Sequence, residues 1–414
     1  MLRVLRHRDF ALLWTGQAVS LIGDGIYLVA IAWLVYDLSN APSALGLVGL
    51  AWTLPMVLVL LGAGVLSDRY DRRRMMVTAD LLRVFAIGAM AVLTIADVVE
   101  LWHVVGLVVI YGVGDALFAP AFTAIVPDVV PREEMLQASA LKELMEPIGL
   151  RFAGPALGGI LIAVAGVGTA LVVDAATFAA SAVAVRMMSP QPGPGSHGAS
   201  AWAELREGWA FVRERAWLWA TLASAALFVL VSYGPFEVLI PFIIRNELGG
   251  GAATFGAVLS AGGLGGITAA IVMSRFGAPR RHVTFMYVLW AFSGLMTAGF
   301  AISGAAWQMC VFSFVSFAAN TCGMVVWNTL MQTRVPREML GRVSSLDWFV
   351  SIGLLPVSFA LTGPVAELVG AETTLIGAGI LGSLSGLLLL VPGVRDPEAE
   401  PLPHARVKVG PEGF

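Results

Sequence analysis

Charged residues, cysteine and histidine are all scarce in this chain of 414 residues. Charged side chains make up 13% of the chain, whereas soluble globular proteins carry about 25%. The two cysteines, Cys310 and Cys322, lie in one apolar run, which supports neither a disulfide framework nor a thiolate metal site. The five histidines are scattered over loops and ends, which does not suit the paired site of a membrane enzyme. We therefore expect no enzyme, no metal and no cofactor.

Lysine is almost absent, because Lys142 and Lys408 are the only two in the chain. Neither lies in the glycine-rich loop that holds the phosphates of a nucleotide. The sequence therefore excludes a nucleotide-driven pump, and we expect no nucleic-acid partner.

Apolar runs are what the sequence has in abundance. Hydrophobic residues make up 58% of the chain, and the mean hydropathy is +0.83. One helical crossing of a bilayer needs about 20 apolar residues, and lipid accepts only segments whose backbone bonds to itself. The first run, from Phe10 to Val35, is too long for the apolar part of a signal peptide, so we interpret it as a retained span. We predict an all-α membrane protein with about twelve transmembrane helices, near residues 10–36, 43–66, 75–96, 102–126, 135–164, 168–188, 216–244, 253–274, 283–303, 306–331, 340–366 and 371–392.

Nearly all of the 25 Lys and Arg residues fall in loops on the side of the amino terminus. Basic loops stay on the cytoplasmic side of a membrane. The pattern predicts a multi-pass protein of the inner or plasma membrane with both termini in the cytoplasm.

An internal repeat divides the chain. The segment VPREEMLQASALKELMEPIGL (130–150) matches VPREMLGRVSSLDWFVSIGL (335–354), and each precedes the fifth span of its half. Such duplication is typical of secondary transporters. We predict two pseudo-symmetric six-helix bundles, a linker with an amphipathic helix that includes Trp209 and Val212, and a disordered cytoplasmic tail. The two bundles are predicted at 1–188 and 216–394. The linker is predicted at 189–215 and the tail at 395–414.

Two motifs resemble signatures of the major facilitator superfamily. GVLSDRYDRRRMM (64–76) is similar to its cytoplasmic signature between the second and third helices, with Asp71 in place of the usual Gly. LRFAGPALGGIL (150–161) is similar to its antiporter signature, with Leu150 in place of the first Gly. GDGIYLVAIAWLVYDLS and IVPDVVPREEMLQASAL resemble, more narrowly, the macrolide-efflux and enterobactin-exporter branch of drug:proton antiporters. The resemblance implies the major facilitator fold.

The first motif predicts a conformational switch at one membrane face. Its residues are Gly64, Asp68, Arg69, Arg72 and Arg73. A carboxylate among guanidiniums can pair in one conformation and part in another. The resemblance implies that Asp68 meets the amino end of the eleventh helix, and we expect Asp68 with Arg72 to latch the outward-facing state. The alternative is that the arginines only set topology.

The second motif predicts a bent, tightly packed fifth helix. Gly154 and Gly158 allow a neighbouring backbone to approach, Gly159 extends the signature, and Pro155 frees a carbonyl one turn earlier. The resemblance implies a role in antiport, although packing alone explains the glycines equally well.

Carboxylates inside the spans are costly, so they point to function. Asp24 and Asp115 lie near the middle of the first and fourth spans, and we predict that they carry protons. The alternative is that each forms a structural hydrogen bond to a neighbouring helix. Asp80 and Arg83, three residues apart in the third span, predict an internal salt pair.

The fifth, seventh and eleventh spans add further candidates. Arg151 follows Glu143 and Glu146, and a buried Glu with this Arg predicts either an ion-pair switch or mutual neutralisation. Glu237 follows a Tyr-Gly-Pro break and is a candidate substrate or proton site. Asp347 corresponds to Glu143 in the repeat. We rank two remaining carboxylates, Asp174 and Glu367, lower because they lie nearer the outer face.

Aromatic and amide side chains in the spans suit a surface for greasy or cationic compounds. Tryptophans near helix ends also serve as interfacial anchors. The candidates are Trp14, Trp33, Trp52, Trp327, Trp348, Phe236, Asn320, Asn328 and Gln332.

Together these features predict a secondary active transporter. We expect it to export small amphiphilic compounds, as in drug efflux, in exchange for protons by alternating access, and to act as a monomer in the lipid bilayer. A dedicated exporter of a siderophore or another metabolite is the alternative. A proton-coupled importer and a non-transporting membrane sensor rank lower.

Overall fold

The computed structural model describes residues 2–189 and 201–395, and every regular element in these two ranges is helical. Within them, the side chains of residues 2, 61–69, 132, 136, 201–205, 337 and 338 lie outside the description. The first part of the linker and nearly all of the predicted tail also lie outside it. The α-helices are α1 (Arg8–Leu38), α2 (Pro42–Arg69), α3 (Arg72–Ile95), α4 (Leu101–Val129), α5 (Met135–Met145), α6 (Gly154–Arg186), α7 (Ala201–Arg213), α8 (Ala216–Phe228), α9 (Gly234–Asn246), α10 (Ala252–Phe276), α11 (His282–Ala301), α12 (Ala306–Arg334), α13 (Arg337–Gly353), α14 (Leu355–Val369) and α15 (Ala371–Leu384).

Two π-helical segments, Glu146–Ala153 and Val229–Tyr233, join α5 to α6 and α8 to α9. Both end immediately before a Gly-Pro pair. Proline has no N–H to donate to the preceding turn, so the local ladder of hydrogen bonds cannot stay α-helical there. Short 3₁₀ turns cover Leu2–Arg6, Arg132–Glu134 and Ser385–Leu390.

In the described residues, eleven long apolar helical stretches account for twelve crossings. One stretch, Gln137–Arg186, has 50 residues and is broken at Gly166, whose φ of +82° is outside the helical range. Glycine has no Cβ to oppose this backbone, so the stretch turns there and crosses twice. The prediction of about twelve helical spans is confirmed.

The described chain before the linker, residues 2–189, is called the first half below, and residues 201–395 are called the second half. In the first half α1 packs on α6, and α3 packs on α4 and α6. In the second half α12 packs on α10 and α11, and α11 packs on α15. The halves meet along α2 with α14 and along α6 with α10. The domain boundaries at 188 and 216 stay predictions.

The side of the bundle where α1 begins is called the amino-terminal face, and the side where it ends is called the far face. Close to the far face, the Tyr36 hydroxyl donates to the Val238 carbonyl at 2.7 Å. Arg245 pairs with Asp37 at 2.5 Å, and Asn40 bonds Asn246 at 2.7 Å. These contacts join α1 and the turn that follows it to α9, so the two halves are held together at the far face.

The linker helix is present as α7, and it contacts α13. Arg342 of α13 pairs with Glu207 of α7, and Val212 is buried. Trp209, which the sequence places on the same apolar stripe, is 56% exposed. A helix is present where the sequence predicts one, and its position on the cytoplasmic membrane face stays a prediction.

Candidate functional site

Four carboxylates and one guanidinium meet inside the first half. Asp24 comes from α1, Asp80 and Arg83 from α3, Asp115 from α4 and Asp174 from α6. These five residues are called the aspartate cluster below. All four carboxylates interact electrostatically with Arg83.

Arg83 lies at the centre of the aspartate cluster. Its guanidinium pairs with Asp80 and approaches the Oδ1 atom of Asp115 to 3.4 Å. The same group lies between the Phe118 and Phe178 rings, at 4.5 and 4.4 Å from their centroids. Ring faces attract a cation, and the attraction grows where water is excluded. The predicted salt pair Asp80–Arg83 is confirmed, and it is part of a larger network.

Asp24 and Asp115 are the half-buried members of the cluster. The Trp52 indole N–H donates to Oδ2 of Asp115 at 2.9 Å, and the Tyr111 hydroxyl donates to Oδ1 of Asp24 at 2.9 Å. Tyr111 lies one helical turn before Asp115 on α4, so a single helix face connects the two carboxylates. Their role as proton carriers stays a prediction.

Asp174, which the sequence analysis ranked low, is part of the aspartate cluster. It is fully buried, and it interacts electrostatically with Asp24. A Cβ atom at Gly23 would lie 2.5 Å from Oδ1 of Asp174, so the glycine beside Asp24 allows α6 to bring this carboxylate close. Its place beside Asp24 differs from the expected position nearer the outer face, and any functional role for it stays a prediction.

A second charged group crosses the boundary between the halves. Arg151, in the first π-helical segment, lies 3.8 Å from Glu146 and 4.0 Å from Glu237 of α9. Glu237 is 16% exposed, but Glu146 is 63% exposed, so the expectation of a buried Glu146 is wrong. Glu143 is exposed and forms no ion pair with the described residues.

The Gly-Pro motif packs α6 against two helices at once. A Cβ atom at Gly158 would lie 2.9 Å from the Ile26 backbone of α1, and one at Gly159 would lie 2.9 Å from the Ala252 carbonyl of α10. The π-helical turn before Pro155 leaves the Phe152 carbonyl to accept from the Ser260 hydroxyl of α10 at 2.9 Å. The motif therefore holds the two halves in backbone contact.

The switch motif is described only in part, because the side chains of Gly64, Asp68 and Arg69 lie outside the description. Arg72 pairs with Asp128 of α4 at 2.6 Å. Arg73 donates to the Met188 carbonyl at 2.5 Å, at the end of the first half. The latch between Asp68 and Arg72 stays a prediction.

The second half contains a cavity of about 200 Å³ between α8, α11, α12 and α13. It is called the carboxy-terminal cavity below. Asp347 lines it, and the Trp327 indole N–H donates to Oδ2 of this carboxylate at 3.1 Å. Asn320, also in this lining, and Trp327 were predicted binding residues. Trp348, predicted beside them, is exposed and does not line the cavity.

Comparison with known proteins gives a consistent result. A family model described as transmembrane secretion effector matches residues 2–409. Macrolide efflux protein A of Streptococcus pyogenes is 26% identical over 387 residues, which cover 90% of this chain and 93% of that protein. The multidrug efflux pump Tap of Mycolicibacterium fortuitum is 29% identical over 395 residues, with the same coverage of 90% and 93%.

Solved structures share the fold at low sequence identity. A bacterial homologue of the iron transporter ferroportin, in an inward-facing state, has a TM-score of 0.70 at 14% identity and covers 92% of this chain and 98% of its own. A POT family transporter in complex with a thioalcohol-conjugated peptide has a TM-score of 0.73 at 11% identity, with coverage of 93% and 96%. The predicted transporter fold is confirmed.

Proposed function

Because the chain belongs to the transmembrane secretion effector family of major facilitator transporters, which are not enzymes, we propose that it exports small amphiphilic compounds in exchange for protons. Relatives named for macrolide and multidrug efflux support the direction of transport and the kind of compound. The aspartate cluster is the observation that carries the exchange for protons.

The charge balance of the aspartate cluster suits proton exchange. One guanidinium faces four carboxylates, and uncompensated charge inside a membrane is costly. The Arg83 guanidinium already forms ion pairs with Asp80 and Asp115. Asp24 accepts only from the neutral Tyr111 hydroxyl among the hydrogen bonds described for it. We expect Asp24 and Asp115, which are half-buried, to exchange protons with water, and the fully buried Asp80 to hold Arg83 in place.

The contacts between the halves favour alternating access. Three polar contacts close the far face. Between α6 and α10, Gly159 and Gly256 allow the two backbones to touch, and one half can rock against the other on this contact, called the glycine seam below. The 4.0 Å pair between Arg151 and Glu237 lies at this boundary, so we expect it to break and re-form with each cycle. Because we expect both termini to lie in the cytoplasm, we assign the described arrangement to a state closed to the outside.

The test uses purified protein in proteoliposomes loaded with ethidium or with a macrolide. A pH gradient that drives protons from the far face to the amino-terminal face is expected to drive the compound the opposite way. Asp24→Asn and Asp115→Asn should each lower gradient-driven export at least about tenfold, since one decade corresponds to only about 1.4 kcal/mol of coupling.

Glu367→Gln is the matched control, because Glu367 is an exposed carboxylate of the second half. It should export at the rate of the unmodified protein. Full coupling in both Asn variants would contradict the assignment of proton exchange to these residues. Failure to move either ethidium or the macrolide would instead favour a dedicated metabolite exporter.

A further inference from the structure

The carboxy-terminal cavity contains a carboxylate that the proton mechanism does not use. It lies among helices of the second half, away from the aspartate cluster, and has room for a small planar group in its volume of about 200 Å³. Its lining combines aromatic rings, one amide, hydroxyls and one acid: Phe228, Trp290, Asn320, Trp327, Asp347 and Ser351.

Asp347 has no cation of its own in the part of the chain that the structure describes. One carboxylate oxygen, Oδ2, accepts the Trp327 indole N–H at 3.1 Å. The other, Oδ1, has no hydrogen-bond donor among the described residues. It is also not one of the fully buried polar atoms that lack a partner. It is therefore accessible from outside the protein, and its residue lines the cavity.

A structural hydrogen bond alone does not explain this acid. The amide oxygen of an asparagine would accept the Trp327 N–H equally well, without the cost of a charge inside a span. A negative charge is useful at this position if a positive charge arrives from outside the protein.

The aromatic walls favour the same kind of ligand. The Trp290 side chain packs against the backbone of α12 at Gly323, where a Cβ atom would collide with the indole, and its N–H donates to the Asn320 carbonyl at 3.3 Å. Trp327 is supported from behind by Trp217, at 6.1 Å between ring centroids. Both indoles are thus fixed, and fixed ring faces beside a carboxylate attract organic cations.

We propose that the carboxy-terminal cavity binds the cationic part of an amphiphilic compound, with Asp347 as its counter-ion and Trp290 and Trp327 as its walls. The cation is a planar aromatic group with a permanent or protonated positive charge. This inference rests on the proposed export function for its transport role, but binding itself requires no gradient and is measured separately.

The test is equilibrium dialysis of N-methylquinolinium, a flat permanent cation, against the purified full-length protein in a neutral detergent. We expect saturable binding that Asp347→Asn weakens at least about tenfold, a loss of about 1.4 kcal/mol. Asp347→Glu should keep most of the affinity, because the negative charge is kept. Glu367→Gln should bind like the unmodified protein.

The neutral isostere 1-methylnaphthalene separates charge recognition from a merely greasy pocket. It should not displace N-methylquinolinium when both are present at equal aqueous concentration. Displacement, absence of saturable binding, or equal affinity in a monodisperse Asp347→Asn protein would each overturn the proposal. If Asp347→Asn failed to fold, Trp290→Leu would serve, with an expected loss of at least about twofold, since it removes one aromatic wall of the cation site.

The two proposals fail separately. Unchanged binding in Asp347→Asn, with lost coupling in Asp24→Asn, would overturn the cation site and leave proton exchange standing. The opposite pattern would leave a cation-binding transporter whose driving ion is not exchanged at Asp24.

Discussion

Each half of the molecule contains an aspartate held by an indole N–H, and the two aspartates differ in what reaches the other oxygen. In the first half, Trp52 binds Oδ2 of Asp115 at 2.9 Å and Arg83 approaches Oδ1 at 3.4 Å. In the second half, Trp327 binds Oδ2 of Asp347 at 3.1 Å, and no described cation reaches the other oxygen.

This difference separates two kinds of buried acid. A carboxylate with an internal guanidinium belongs to a closed network, whose net charge changes only when a proton enters or leaves. A carboxylate with an open oxygen can accept a cation from outside. The same residue type, with the same indole partner, thus suits proton exchange in one half and ligand recognition in the other.

The largest expected effect comes from removing the internal cation of the first half. Arg83→Leu should destabilise the protein by about 3–5 kcal/mol, because it leaves Asp80 buried without its partner. Thermal unfolding of the detergent-purified protein measures this loss. Arg280→Leu, at an exposed loop position, is the control. Asp347→Asn should change stability by less than about 1 kcal/mol, and an equal loss in both variants would contradict the comparison.

The next effect concerns the backbone contact between α6 and α10, where Gly159 of the first half lies against Ala252 of the second half. Gly159→Leu should lower export at least about tenfold, because its side chain would overlap the Ala252 carbonyl of α10, and overpacking costs about 1–3 kcal/mol. N-methylquinolinium affinity should stay unchanged, since Gly159 does not line the carboxy-terminal cavity. Gly106→Leu is the matched control, with no atom within 4 Å of the added Cβ. Normal export by Gly159→Leu would show that the seam does not limit transport.

Replacing the two indoles, Trp327 and Trp52, should have smaller and unequal effects. Trp327→Phe removes the only hydrogen-bond donor described for Asp347, so N-methylquinolinium affinity should fall about three- to tenfold, for a net bond of about 0.5–1.5 kcal/mol. Trp52→Phe should lower gradient-driven export less than about threefold, because Arg83 still holds Asp115. Dialysis and proteoliposome export measure the two effects. A larger loss of coupling in Trp52→Phe would place the indole within the proton-exchange machinery.

The smallest effect is expected from an acid outside both regions. Glu247 lies at the far face, and its pKa is raised above the usual range. Burial is the larger cause and the neighbouring Glu372 the smaller one. The folded state therefore holds this proton more tightly than the unfolded state, and the acid costs stability once pH rises above the usual value for Glu, about 4.3. Glu247→Gln should thus stabilise the protein more at pH 7 than at pH 4, by less than about 0.5 kcal/mol, in thermal unfolding at the two pH values. A larger gain at pH 4 would reverse the sign and contradict the raised pKa.

The sequence allowed the fold to be predicted because apolar length and basic loops are local properties. The hydropathy pattern separated 135–164 from 168–188, and the structure breaks between them at Gly166. The salt pair Asp80–Arg83 was also predictable, since three residues on a helix bring side chains together.

Contacts between distant helices could not be predicted in the same way. The caging of Arg83 by Phe118 and Phe178, and the approach of Asp174 to Asp24, depend on how α3, α4 and α6 rotate about their axes. Asp347 was a candidate only through its place in the repeat. Its open oxygen depends on which residues of α11 and α12 face α13, and no single-sequence pattern reports that.

The proposed export of a compound in exchange for protons requires that a cation bound at Asp347 and a proton held in the aspartate cluster exclude each other. Linkage requires that binding of one then releases the other. Calorimetric titration of N-methylquinolinium, in two buffers of equal pH and different ionisation enthalpy, counts the protons released per cation bound. We predict proton release by the unmodified protein and none by Asp24→Asn with Asp115→Asn, with binding retained in both. Equal heats in the two buffers for the unmodified protein would contradict the claim.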